Sequence, residues 1–192
     1  MPRPRKDSKE KGAEERMVEA FWRQLAHMPY RELTAVSIAR EAECNRATFY
    51  YYFESIEDLA EQAVDAAVPT SIADLAEKFL SEDGASFRLD EKQRRAVERI
   101  SLLTGANGSA RLTERFKRAL MGAWANRFSL DLEQEDVRTV ASFMASGIIG
   151  ILGERAGRPC DGHFDARLQI ISEVFSAPAI EFAHRIGGVE SS

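Results

Sequence analysis

The 192-residue sequence is poor in the residues that most often carry chemistry or cross-links: it holds two cysteines, three histidines and six prolines. With only Cys44 and Cys160, it argues against a disulfide framework and for two free thiols in a reducing, cytoplasmic setting. Cys160-x-x-His163 is a two-ligand fragment without a second pair at zinc-site spacing, so it reads as a loop after Pro159 and no metal is expected. There is no Gly-x-Ser-x-Gly elbow, Gly105-x-x-Gly108 lacks the Gly-Lys-Ser/Thr of a phosphate loop, and His27, His163 and His184 are the only imidazole bases. Neither an enzyme nor a bound cofactor is expected. Long apolar runs are missing too. The longest, residues 143–153, has 11 residues between charged flanks, against roughly 20 for a bilayer span, so no membrane crossing is expected. The opening MPRPRKDSKEKG has no apolar stretch behind it and does not read as a secretion signal.

Positive charge is also scarce. Lys and Arg number 26 against 31 Asp and Glu, a net of −5, which argues against a general coat of nucleic-acid affinity. The balance is uneven along the chain. Residues 1–12 hold Arg3, Arg5, Lys6, Lys9 and Lys11 against Asp7 and Glu10, a net of +3, leaving 21 cations against 29 carboxylates elsewhere, a net of −8. With two prolines, a glycine and no apolar period, this segment reads as a basic arm, expected to be mobile.

What the sequence does contain is helical periodicity. Met17, Phe21 and Leu25 recur at i+4, a stripe expected to end at Met28 before Pro29. Thr34 is a good N-cap for a short helix carrying Ile38, Ala39 and Ala42, and a second short helix is expected over 45–53. Ser55 to Asp58 fits a capping box and opens a helix that runs to Val68, before Pro69. Further helices are expected over 71–80, 90–103, 109–128 and 133–156, and a last one from Phe164, which Pro178 should kink or stop. No strand pattern and no fixed-period repeat is visible. The fold class is all-α.

Residues 33–59 read LTAVSIAREAECNRATFYYYFESIEDL. Two short helices joined by a tight turn at this spacing form a helix-turn-helix, whose second helix lies in the major groove while the first braces it. Asn45 is suited to cap the second helix. Arg46 and Thr48 stand in its first turn, where a guanidinium can take guanine or phosphate and a hydroxyl can take phosphate. Tyr50, Tyr51 and Tyr52 point about 100° apart, so they cannot share one buried face. Phe49 and Phe53 should point into a core with Phe21, Leu25, Ile38 and Leu59.

This stretch closely resembles the DNA-binding domain of the TetR family of bacterial transcription regulators. The family pattern runs Thr, Ile-Ala, Ala-Gly-Val-Ser, Thr-Phe-Tyr-x-Tyr/His-Phe and Ser-Lys-x-x-Leu. The resemblance implies an N-terminal three-helix helix-turn-helix domain, residues 13–68, followed by a larger helical bundle, residues 69–192, for effector binding and dimerisation. It implies DNA contacts at Thr34, Ser37, Asn45, Arg46 and Thr48, with Tyr51 toward base edges and Tyr50 and Tyr52 at the backbone. Arg3, Arg5 and Lys6 would then belong to an arm that follows the backbone or enters an adjacent minor groove. Two positions depart from the pattern: Glu43 stands where the turn glycine is usual, and Ile56 replaces the lysine after Ser55. Both reduce attraction to phosphate.

The second region carries no comparably specific motif. Phe79, Leu103, Phe116, Leu120, Met121, Trp124, Phe128, Phe143 and Met144 are candidates for an effector pocket, with Trp124 foremost because its indole pairs apolar surface with a donor. No buried arginine or histidine cluster can be inferred, which leans toward an apolar effector. Ala141, Ala145, Gly147, Gly150 and Gly153 lie among isoleucines and leucines and would let another helix approach closely. With Ile151, Leu168, Ile171 and Phe175, Gly147 and Gly150 form a candidate dimer seam; packing within one chain is the alternative. The expected function is a homodimeric regulator of pseudo-palindromic double-stranded DNA, a repressor released by a small-molecule effector. The competing expectation is an interaction protein of this fold that binds DNA weakly and answers to a protein partner or to no ligand.

Overall fold

The computed structural model describes residues 12–67, 89–158 and 162–186, and every regular element among them is helical. The basic arm with Arg3, Arg5 and Lys6, the expected helix over 71–80 with Phe79, and Cys160 lie outside the described residues.

Helix α1, Ala13–Leu25, buries Met17, Ala20, Phe21, Gln24 and Leu25, one face at helical spacing. It stops three residues short of the expected Met28. Pro29 disfavours the helical conformation in the residue before it, and the chain instead tightens, with the N–H groups of His27 and Met28 both donating to the Gln24 carbonyl at 2.9 Å. A 3₁₀ turn at Tyr30–Glu32, not anticipated from sequence, follows.

Helix α2, Ala35–Glu41, begins at a reciprocal cap: Ser37 N donates to Thr34 Oγ1 at 3.1 Å, and Thr34 N donates to Ser37 Oγ at 3.2 Å. Helix α3, Arg46–Tyr52, is capped by Asn45, whose Oδ1 accepts from Thr48 N at 2.8 Å. Helix α4, Ile56–Ala67, opens on the expected box with one shift: Asp58 N donates to Ser55 Oγ, while the Asp58 carboxylate accepts from Glu54 N rather than Ser55 N.

Three longer helices form the body. Helix α5, Glu91–Thr104, starts at an Asp90–Gln93 capping box; α6 spans Ala110–Phe128 from a Ser109 cap; and α7 spans Glu135–Glu154. Helix α5 packs on α7 and α6, and α6 packs on α7. Helix α4 lies against α1, α5 and α6, so one apolar cluster runs without a break from Phe49 and Phe53 through Leu59 and Val64 to Ile100, Leu103 and Phe116. Helix α7 is long and apolar enough by composition to cross a membrane. Here one face, Val137, Ala141, Ala145 and Leu152, is buried against the body.

Helix α8, Gly162–Ile186, continues through Pro178 rather than stopping there. Proline's fixed φ is helical, and its cost lies in the lost N–H bond to the preceding turn. Val174, the residue whose carbonyl is left without that bond, and Pro178 itself are both exposed, so water can serve the freed group.

Candidate nucleic-acid interface

Helix α3 divides its side chains sharply between core and solvent. Phe49 and Phe53 are fully buried beside Phe21, Leu25, Ile38 and Leu59, as their i, i+4 spacing requires. On the other side Tyr51 is 81% exposed, against 48% for Tyr50 and 38% for Tyr52, so Tyr51 is the residue that stands clear of the domain. The tyrosines are not loose. Tyr50 packs edge-on against Phe49 at 5.4 Å between ring centroids, and Tyr51 edge-on against Tyr52 at 4.9 Å. The Arg46 guanidinium sits over the Tyr50 ring at 5.4 Å.

The turn before α3 is built by hydrogen bonds that sequence reasoning missed in part. Glu43 N donates to Arg40 O and Cys44 N to Ala39 O, the paired bonds of a Schellman ending on α2, with Glu43 at φ +54° in the position that favours glycine. From behind, Arg16 Nε donates to Ala42 O at 3.0 Å and its Nη2 approaches Cys44 Sγ at 3.4 Å. An arginine 26 residues upstream gave no sequence signal for this role.

Of the other candidates, Thr34 is exposed and Ser37 is half-buried. The Ser37 hydroxyl turns inward to Gln24 Oε1 at 2.8 Å and Thr34 O at 2.9 Å, and the Thr48 hydroxyl donates to Asn45 Oδ1 at 3.1 Å. These two hydroxyls hold the helix starts. Val36, not singled out from sequence, is 54% exposed in the first turn of α2.

Charge around this surface is unfavourable to phosphate. Residues 12–67 carry five arginines, no lysine and eleven carboxylates, a net of −6. Arg23 is paired with Glu41 at 2.7 Å, and Arg31 lies 3.9 Å from Glu32.

Residues 18–63, which contain this whole arrangement, match the family model for bacterial regulatory proteins of the tetR family. Residues 18–63 are a DNA-binding domain of the TetR type. No curated protein matches the sequence. Among solved structures, the chain resembles the fatty acid degradation regulator FadR from Bacillus halodurans. The TM-score is 0.56 at 13% identity, over 87% of this chain and 96% of that one. A looser likeness, TM-score 0.48 at 17% identity over 91% and 98% of the two chains, is to the TetR family repressor AlkX from a Dietzia species, described as implicated in biodegradation of n-alkanes. The FadR likeness supports the fold: a helix-turn-helix domain followed by a helical C-terminal region.

The body grips the TetR domain at several places: Arg99 of α5 pairs with Glu19 of α1 at 2.6 Å and lies over the Trp22 ring. The α5–α6 turn holds α1 and the 3₁₀ turn: Asn107 Nδ2 donates to Leu25 O at 3.0 Å, and Tyr30 N donates to Asn107 O at 2.7 Å. Burial, and next the Glu57 carboxylate, push the Tyr30 phenol up to about 12. On α6, Arg111 pairs with Glu61 at 2.8 Å, and Arg115 bridges Glu61 at 2.9 Å and Asp65 at 2.5 Å, all from α4. The hydrogen bond to Asp65 is the main cause that raises the Arg115 pKa further.

In the body, Leu103, Phe116, Leu120 and Trp124 are buried in one core, with Met121, Phe128 and Met144 packed partly buried against it. Phe143 is 68% exposed and leaves the pocket set: α7 turns Ala141 and Ala145 inward, and two residues along the helix is nearly the opposite face. The dimer candidates also divide. Leu168 is buried in the core with Phe164, Ile151 and Ile171 are half-buried, and Gly147, Gly150 and Phe175 are exposed beside Ile170 and Val174, two residues that periodicity did not single out. The core stripe of α8 and its outer stripe are both apolar, and sequence alone does not say which one the body covers.

The glycines of α7 separate the two packing alternatives. A Cβ on Gly153 would lie 2.7 Å from Thr104 O, so Gly153 serves the close approach of α5 within this chain. A Cβ on Gly147 or Gly150 would meet nothing within 4 Å, so no contact among the described residues requires glycine there.

A buried polar cluster also went unforeseen. Arg94 pairs with Asp165 at 2.6 Å, and Arg155, itself buried, stacks its guanidinium 3.8 Å from the Phe164 ring centroid. It joins the start of α5, the end of α7 and the start of α8, across 71 residues between Arg94 and Asp165. The sequence, from which no buried arginine cluster could be inferred, gave no signal for it.

Proposed function

We propose that the chain is a cytoplasmic, homodimeric, sequence-specific regulator of transcription, a repressor whose hold on a pseudo-palindromic operator is released by a small-molecule effector. The carrying observation is the outward tyrosine edge of α3 on a domain of TetR type. Asn45, Arg46 and Tyr50 to Tyr52 make the principal DNA contacts. Thr34 touches the backbone, Ser37 and Thr48 orient the helix starts, and Arg3, Arg5 and Lys6 of the arm add attraction to phosphate. The exposed apolar face of Phe143, Gly147, Gly150, Ile170, Val174 and Phe175 supports a second copy of the chain packed across a two-fold axis, which half-site reading needs.

The effector enters among Leu103, Phe116, Leu120, Met121, Trp124, Phe128 and Met144. Leu103, Phe116, Leu120 and Trp124 are buried between α5, α6 and α7, so a ligand that enters among them displaces α5 or α6. Arg99 on α5, Asn107 in the turn between the two helices, and Arg111 and Arg115 on α6 are the groups that grip the TetR domain. Effector binding is therefore coupled to the position of α3, provided the ligand binds the displaced form more tightly than the DNA-competent form.

A gel shift of the full chain on the DNA upstream of its own gene tests the reading, with retention of one pseudo-palindrome over competitor as the supporting result. A metabolite panel scored by thermal shift then finds the effector. The net of −6 on residues 12–67 and Glu43 in the turn favour one competing reading, an interaction protein with weak DNA binding. Loss of all retention at low salt, with the dimer intact, supports that one.

A further inference from the structure

The exposed side of the helix-turn-helix carries several apolar groups. On α3, Ala47 and Tyr51 share a stripe at i, i+4, both exposed, and on α2 Val36 is exposed in the first turn. The one arginine of α3, Arg46, is stacked over Tyr50 rather than extended from the helix as an open fork. Asn45 Oδ1 already accepts from the Thr48 N–H and the Thr48 hydroxyl, so the acceptor of Asn45 and the donor of Thr48 are engaged within the helix start. Phosphate attraction is weak, with a net of −6 over residues 12–67. The exposed apolar groups of Val36, Ala47 and the Tyr51 ring suit apolar contact, and in the major groove the apolar group is the C5-methyl of thymine.

We infer that this protein reads its operator chiefly through thymine methyl groups, with Val36 and Tyr51 as the specificity-determining side chains. The inference rests on the DNA-binding reading above. Its occupant is committed by continuity: Val36 and Tyr51 belong to the two helices of one helix-turn-helix, and a valine 54% exposed in that position contributes little to the core behind it. A guanine-reading arginine would be nearly indifferent to deletion of a methyl from the DNA; a valine would be left with nothing to touch.

The test uses the full chain and fluorescent duplexes recovered by selection from a randomised pool. Each thymine of the recovered site is replaced in turn by deoxyuridine, which deletes only the methyl, and Kd is measured by anisotropy at fixed salt. Removal of one buried methyl is expected to weaken binding by about fourfold at one or two positions in each half-site. In Val36→Ala the thymine-to-uracil ratio at one of those positions should fall to about one, and in Tyr51→Ala at another. Tyr51→Phe should retain the ratio, since the ring stays and only the phenol goes. Both residues are exposed, so the melting temperature should not move. Uracil substitution that leaves Kd within about twofold everywhere, or ratios that persist in both alanine variants, overturns the inference while leaving DNA binding intact. A pool from which no sequence is recovered overturns the regulator reading itself, and this one with it.

Discussion

Replacing Glu43 by glycine should stabilise the protein. Glu43 sits at φ +54° between two hydrogen bonds that end α2, so its backbone is held in the left-handed region by the Glu43 N to Arg40 O and Cys44 N to Ala39 O contacts. That region costs an L-residue about 1–2 kcal/mol relative to the right-handed one. Glycine removes the strain, and its greater freedom in the unfolded chain offsets about 0.5–1 kcal/mol of the gain. The expected net is about 0.5–1 kcal/mol. In urea the midpoint should rise at constant m, because the surface exposed on unfolding does not change. Glu43→Gln separates strain from charge: glutamine keeps the strained backbone and should leave the midpoint in place. Both variants remove a negative charge beside the DNA surface, so both should bind operator more tightly at low salt. A glutamine variant as stable as the glycine one would refute the reasoning, since charge and not backbone geometry would then be the cost.

Other outcomes follow from the same structure. Asn45→Ala removes the acceptor of Thr48 N and should lower stability by about 1 kcal/mol, read by denaturation, with a larger loss in DNA affinity because the start of α3 frays. Phe143→Glu with Ile170→Glu should convert a dimer to a monomer in sedimentation without lowering the monomer's helix content, since both positions are exposed; an unchanged mass sinks the seam. Deleting residues 1–11 removes five cations and two carboxylates, and the slope of log K on log salt should flatten by about 0.9 for each phosphate the arm no longer neutralises. The Tyr30 phenol, raised to about 12 from 10.0, favours its neutral form in the folded chain. Its contribution is therefore complete below pH 10 and lost between about 10 and 12, and Tyr30→Phe should make the fall of melting temperature over that range shallower.

Local interactions made the first half of the chain legible. Thr34, Asn45 and Ser55 cap helices within three residues of themselves, and Phe49 and Phe53 share a face by spacing alone, so no distant partner had to be known. The departure at Glu43 was visible for the same reason: a turn of this type has one place where φ is positive. Tertiary structure decided the matters that depend on residues far apart. Arg16 behind the turn, Asn107 on the end of α1, Arg115 across α4 and Arg94 on Asp165 are pairs 26 to 82 residues apart, and periodicity carries no trace of them. The same holds for the two apolar stripes of α8 and the glycines of α7. Composition marks both as sites of close packing, but which face is covered depends on which neighbour arrives, and only the packed chain separates Gly153 against Thr104 from Gly147 and Gly150 in the open.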